Sequence, residues 1–218
     1  MTTVVAARGL VQVFGSRVAL GPIDLALAAG ERLAVLGDNG AGKTTLLRIL
    51  ATAARPAAGD LDLFGLDASR KRERVRARLG YLGHLPGLYA ALTARENLEF
   101  FATLHEVDRR RVAEALAATG LETVAGDRVE RLSRGQLQRL ALARTVLHDP
   151  ELLVLDEPDA SLDAAGRGLL RTLMEGRTVV MATHDRLLAR ELCGRGLLLR
   201  AGRDGGDPWN LQLLESTT

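Results

Sequence analysis

With 218 residues, 47% of them hydrophobic and 26% charged, the chain is sized for one well-packed domain of ordinary soluble composition. The formal net charge is +2, from 29 basic against 27 acidic side chains, which gives no charge-based case for nucleic-acid binding. No apolar stretch approaches the roughly 20 residues of a membrane helix, and MTTVVAARGLVQVFG shows no secretory signal.

In chain order, the first elements read as β. Val4, Val11 and Val13 mark one strand, and Ile23 to Leu27 alternates apolar and polar at period two. Glu31 to Leu36 is a further strand, running into a glycine-rich turn and a helix from about Gly42 to Ala53. Arg55-Pro56 stops that helix, and Asp60 to Phe64 is again a strand. The run Ser69 to Arg78 carries six Arg or Lys and one Glu. It reads as a solvated surface helix before a strand at Leu79–Leu82, and no aromatic stacking platform accompanies the charges.

The middle of the chain is helical. Thr93 and Glu96 have capping-box spacing, followed by Leu98, Phe101 and Leu104 on one face. A second helix spans about Asp108 to Thr119, and Ser133 with Gln136 caps a third that closes at Asp149-Pro150. Beyond it come a strand at Leu152–Leu155, a helix to Glu175, a strand at Thr178–Ala182, a short helix after Asp185 and a strand near Leu197–Arg200. The alternation implies an α/β fold with a parallel sheet. The lone Cys193 cannot form an internal disulfide and reads as a small buried hydrophobe, in keeping with a reducing cytosol.

Gly37-Asp38-Asn39-Gly40-Ala41-Gly42-Lys43-Thr44 matches G-x-x-x-x-G-K-[ST] in full, between a strand and a helix. Its glycines let backbone N–H groups point inward at a β-phosphate, and the helix adds the positive end of its dipole. Lys43 would reach the β- and γ-oxygens, and the Thr44 hydroxyl would face Mg²⁺. Downstream, ELLVLDE (151–157) is an aliphatic strand ending in two carboxylates. Asp156 suits Mg²⁺ held through water, and Glu157 suits the base that handles an attacking water.

The order of these motifs with LSRGQLQRLALAR, DASLD and MATHD resembles the ABC ATPases over nearly the whole chain. The resemblance implies a P-loop NTPase core with a mainly parallel sheet, an N-terminal antiparallel β subdomain and an inserted helical subdomain. In this reading 1–218 form one domain, with the nucleotide-binding core at about 1–85 and 149–218 and the helical part at about 86–148. It implies ATP and Mg²⁺ as cofactors and an ATP-sandwich dimer of two copies, in which Ser133, Gly135 and Gln136 of one cap the γ-phosphate held by the other. By the same resemblance, Thr45 joins the phosphate loop as an ATP-binding residue and His184 contacts the γ-phosphate. Asp163 organises the dimer interface, and Phe14 stacks on adenine. Without the family, Ser133 and Gln136 are a helix cap, His184 a structural histidine and Phe14 a core aromatic.

Three departures stand out. Arg134 replaces a glycine of the signature, and Asp159 adds a charge in PDASLD. His84 stands where a glutamine that senses Mg²⁺ and the membrane partner is usual, which by the resemblance makes it a candidate at the ATP site, toward Mg²⁺ through water and toward the attacking water. His84, the S-R-G signature and LYAALTARENLEFFATL resemble the haem-exporter ATPase subunits of cytochrome c biogenesis. That implies integral membrane permease subunits and haem-handling proteins as partners, with a location on the cytoplasmic face of the inner membrane and no specific nucleic acid. The rival readings are an exporter ATPase for a drug or lipid, and a non-transport ABC ATPase acting on ribosomes or DNA.

Overall fold

The computed structural model describes residues 2–200 in full and residues 210–215 as a backbone strand. Pro208 and Trp209 of the tail lie outside the described residues.

Two sheets divide the strands. The first is antiparallel: β1 (Thr3–Phe14) and β2 (Arg17–Ala28) form a hairpin, and β4 (Ala58–Leu63) and β5 (Leu66–Asp67) extend it in the order β2-β1-β4-β5. The second sheet is built on β3 (Arg32–Gly37), β6 (Leu79–Leu82), β7 (Leu152–Asp156), β8 (Thr178–Ala182) and β9 (Arg195–Arg200), all parallel. Its order is β10-β9-β3-β8-β7-β6, with β10 (Asn210–Glu215) antiparallel to β9 at the edge. Neither this closing strand nor the short β5 had a reading from the sequence.

Strand periodicity explains how the second sheet serves two cores. Leu33 and Val35 of β3, Leu152 and Val154 of β7, and Val180 and Ala182 of β8 belong to one apolar cluster, shared with α1 (Lys43–Leu50) and the antiparallel sheet. The alternate residues Ala34, Leu153, Leu155, Val179 and Met181 face the opposite way. They pack on a cluster that includes α5 (Arg134–Val146), α6 (Ala164–Met174) and α7 (Arg186–Leu192). A strand buried on both faces must be apolar at every position, as β7 and β8 are. Cys193 is buried in this second cluster, and burial pushes its thiol up to about 12. A third cluster joins α3 (Ala94–Leu104), α4 (Arg110–Ala118) and the buried side of α5 through Leu98, Leu116 and Leu140.

Both capping boxes form. Thr93 accepts from the Glu96 amide at 3.1 Å and Ser133 from the Gln136 amide at 3.3 Å, with each N3 side chain returning the bond. Two helices are shorter than their sequence patterns. The α1 helix stops at Leu50 because Thr52 turns left-handed (φ 55°) and the Ala53 amide reaches back to the Arg48 carbonyl at 2.8 Å, a C-terminal reversal that usually employs glycine. The basic run supplies only α2 (Arg72–Arg76), and it is not wholly solvated. Arg76 donates to the Thr52 hydroxyl and carbonyl, both at 2.9 Å, and Arg72 donates to the same carbonyl.

Candidate active site

The C-terminal ends of β3, β8, β7 and β6 lie side by side on one edge of the parallel sheet, where such sheets bind ligands. Each delivers one part of the site: the phosphate loop after β3, His184 after β8, Asp156 and Glu157 at the end of β7, and His84 after β6.

The loop from Gly37 to Thr44 is shaped by backbone crowding. A β-carbon at Gly42 would meet the Ala19 carbonyl oxygen at 2.6 Å, and one at Gly37 would collide with the Leu199 carbonyl; both residues have positive φ, 95° and 147°. The loop is thus clasped between β2 and β9. Lys43 is buried, and its ammonium donates to the Gly37 and Asp38 carbonyls at 2.7 and 3.1 Å, holding the loop in a ring around its own side chain. Gly42, at the N-cap of α1, has no side chain to cap the helix, so the first-turn amides, from Lys43 through Thr45, are left as donors suited to an anion. Asn39, Gly40 and Thr44 are exposed at the mouth, while Ala41 is buried beneath it. A cleft of about 250 Å³ beside the loop is lined by Gly37, Asp38, Asn39, Thr183, His184 and Arg186.

Asp156 is buried and accepts a hydrogen bond from the Thr44 hydroxyl, while among the described residues its Oδ2 has no partner. Burial raises the pKa of Asp156 and the Glu157 charge adds to the rise; the Thr44 bond and the charges of His84 and Lys43 oppose it. An orphaned carboxylate oxygen beside a hydroxyl is a donor set that a hard cation fits. Glu157 adopts a left-handed backbone (φ 51°), costly for a residue with a side chain, and its amide is fixed to the Ala182 carbonyl at 2.9 Å. The turn brings its Oε1 to 3.1 Å from His184 Nε2, and both side chains stay open to solvent.

A second layer braces these loops, and the sequence did not reveal it. Thr183 donates to Asp159 at 3.0 Å and accepts from the Asp185 amide at 3.0 Å, tying the loop after β7 to the loop after β8 on either side of His184. Asp159 is therefore engaged within the chain. Gln138 of α5 donates to the Pro158 carbonyl at 2.9 Å, linking that helix to the turn after Glu157. No local spacing marks the Thr183–Asp159 and Gln138–Pro158 pairs, since their partners lie 24 and 20 residues apart. Asp163 caps α6 through the Gly166 amide at 2.8 Å and pairs with Arg139 at 2.9 Å; these two contacts hold its carboxyl below the usual range.

Other sequence candidates stand apart from this cluster. Ser133, Gly135 and Gln136 open α5, and among the described residues no hydrogen bond joins them to the phosphate loop. Phe14 is 59% exposed at the end of β1, so it is not a core aromatic.

Residues 20–160 match the family described as ABC transporter. The chain belongs to the ABC transporter ATP-binding family. It is 40% identical over 194 residues to the cytochrome c biogenesis ATP-binding export protein CcmA of Methylococcus capsulatus, covering 86% of this chain and 94% of that one. It is 39% identical over 210 residues to the daunorubicin resistance ATP-binding protein DrrA3 of Streptomyces coeruleorubidus, covering 92% of this chain and 66% of that one. Among solved structures, it is similar to an ATP-binding cassette captured as a dimer after hydrolysis with ADP and Pi. That likeness has a TM-score of 0.83 and 26% identity, covering 98% of this chain and 99% of that one. As an ABC ATPase, the chain binds ATP and couples its hydrolysis to transport. Among the described residues no helix is long and apolar enough to cross a membrane.

Proposed function

We propose that this chain is the ATPase of a haem exporter serving c-type cytochrome assembly, working on the cytoplasmic face of the membrane as an ATP-sandwich dimer bound to integral permease subunits. The observation that carries the hydrolytic part is the 3.1 Å contact between Glu157 and His184, presented by adjacent strands beside the phosphate loop. The export part is supported by the 40% identity to CcmA and by His84 and the S-R-G signature. Export of another small molecule is the second reading, favoured by the 39% identity to a daunorubicin resistance protein.

In this reading the phosphate-loop amides, Lys43, Thr44 and Thr45 hold the β- and γ-phosphates, and Phe14 supports the adenine. Bound at Asp156 and Thr44, Mg²⁺ would neutralise charge on the phosphates. Glu157 orients a water in line with the γ-phosphorus and accepts its proton as the new P–O bond forms. The bond to the β-phosphate oxygen breaks, and ADP carries the charge away. His184 keeps the Glu157 carboxylate aimed and contacts the γ-phosphate, and His84 senses the occupied site. Ser133, Gly135 and Gln136 of the second copy close over the phosphate by presenting a helix N-terminus, with Asp163 at the interface. Residues 86–148 form the helical part of the single domain. Closure on ATP and release after hydrolysis give the permease a two-state motion to follow.

The test is capture of the Glu157→Gln chain from detergent-solubilised membranes with MgATP, with partners identified by mass spectrometry. Small integral membrane subunits together with cytochrome c assembly factors are expected. A drug or lipid permease would move the substrate to the second reading, and ribosomes or DNA without a membrane protein would overturn the transport role here.

A further inference from the structure

The β1–β2 hairpin does more than carry Phe14. Its second strand leans on the phosphate loop, as the Ala19 carbonyl beneath Gly42 shows. Two residues earlier on the same strand stands Arg17. A methyl group added at Gly40 would lie 3.9 Å from the Arg17 Nη2, so the guanidinium hangs over the outer rim of the loop. Arg17 is also the cross-strand partner of Phe14.

The electrostatic setting is specific. Lys43, the cation inside the loop, is buried and its ammonium is occupied by loop carbonyls. Arg17 is exposed, and among the described residues no hydrogen bond or ion pair engages its guanidinium. A free guanidinium at the rim of an amide-lined anion site offers a planar fork of donors suited to phosphate oxygens. A lysine at this place would bring a point charge without the fork.

From this juxtaposition we propose that Arg17 is a substrate-positioning residue, a guanidinium that closes over the phosphate chain of the bound nucleotide from the hairpin side while its neighbour Phe14 meets the base. The proposal rests on the nucleotide site described above. It assigns the hairpin two contacts with one ligand, an aromatic one and a cationic one, so a nucleotide is read at both ends by a single two-residue turn.

The experiment is equilibrium binding of MgATP, MgADP and adenosine to the full chain and its variants, with ATPase kinetics alongside. Arg17→Ala should weaken MgATP and MgADP by about ten-fold, the scale of one charge-assisted hydrogen bond. It should leave adenosine binding unchanged and raise KM more than it lowers kcat. Arg17→Lys should recover part of the affinity, and added salt should narrow the gap between wild type and Arg17→Ala. Phe14→Ala should weaken all three ligands, adenosine included. Unchanged MgATP affinity in Arg17→Ala, or an equal loss for adenosine, would overturn the assignment. Lys43→Ala serves as the separate check on the site: if it binds MgATP as tightly as wild type, the nucleotide site itself is misplaced, whereas a silent Arg17→Ala with a dead Lys43→Ala removes only the hairpin contact.

Discussion

Glu157 and His184 come together because two neighbouring strands end at the same level and Glu157 accepts a left-handed backbone that brings its carboxylate against His184. Removing the imidazole should leave the carboxylate unsteered. His184→Ala is expected to lower kcat by about 100-fold, with MgATP affinity changed far less; steady-state kinetics with parallel binding measurements check this. Asp159 acts one step further out, through Thr183. Asp159→Ala should cost several-fold in kcat and little in KM, with Asp159→Asn restoring part of the rate because an amide oxygen can still accept from Thr183. At this scale Lys43, Asp156 and Glu157 stand in motifs whose spacing is visible in the sequence, whereas His184 entered only through the family resemblance. Asp159 was visible only as an added charge, since its bond to Thr183 spans 24 residues and no local pattern encodes it.

At the level of elements, capping chemistry was the most legible signal: Thr93 with Glu96, and Ser133 with Gln136, form the boxes their spacing implies. Ser133→Ala should therefore lower the melting temperature of the isolated chain by roughly 2–4 °C, the effect of losing a cap worth about 1 kcal/mol. The Thr52 reversal and the shortness of α2 were not legible, because the Arg72 and Arg76 bonds to Thr52 come from a separate element. A pH response follows from another such contact. His105, after α3, stacks on His148, after α5, with ring centroids 4.0 Å apart, and His148 Nε2 meets the Leu79 carbonyl at 3.1 Å. Burial, then the neighbouring His105 charge, lowers the His148 pKa from 6.5 to about 4, and burial lowers that of His105. Protonation then favours the unfolded chain, so the stability due to the neutral rings is complete above about pH 6.5 and is lost as pH falls through about 4. Melting temperature followed across that window should fall toward acid, and His148→Gln should flatten the fall; an identical slope in the variant would contradict the assignment.

Across the whole molecule, the site depends on strand order. The chain makes β3, β6, β7 and β8 in sequence, yet places β8 between β3 and β7, which inserts His184 between the phosphate loop and the two carboxylates. A sequence lists strands in order of synthesis, so the α/β class was legible and this interleaving was not. The antiparallel sheet and β9 then fix the loop from either side, at Gly42 and Gly37. Gly42→Ala should thus abolish MgATP binding, because the added methyl has nowhere to go against the Ala19 carbonyl; titration calorimetry reads this directly. The assignment of Glu157 to the attacking water is tested most directly by ATP turnover of Glu157→Gln beside its MgATP affinity. Wild-type affinity with turnover reduced by about 100-fold or more is expected. Turnover within a few-fold of wild type would mean that Glu157 does not handle the water.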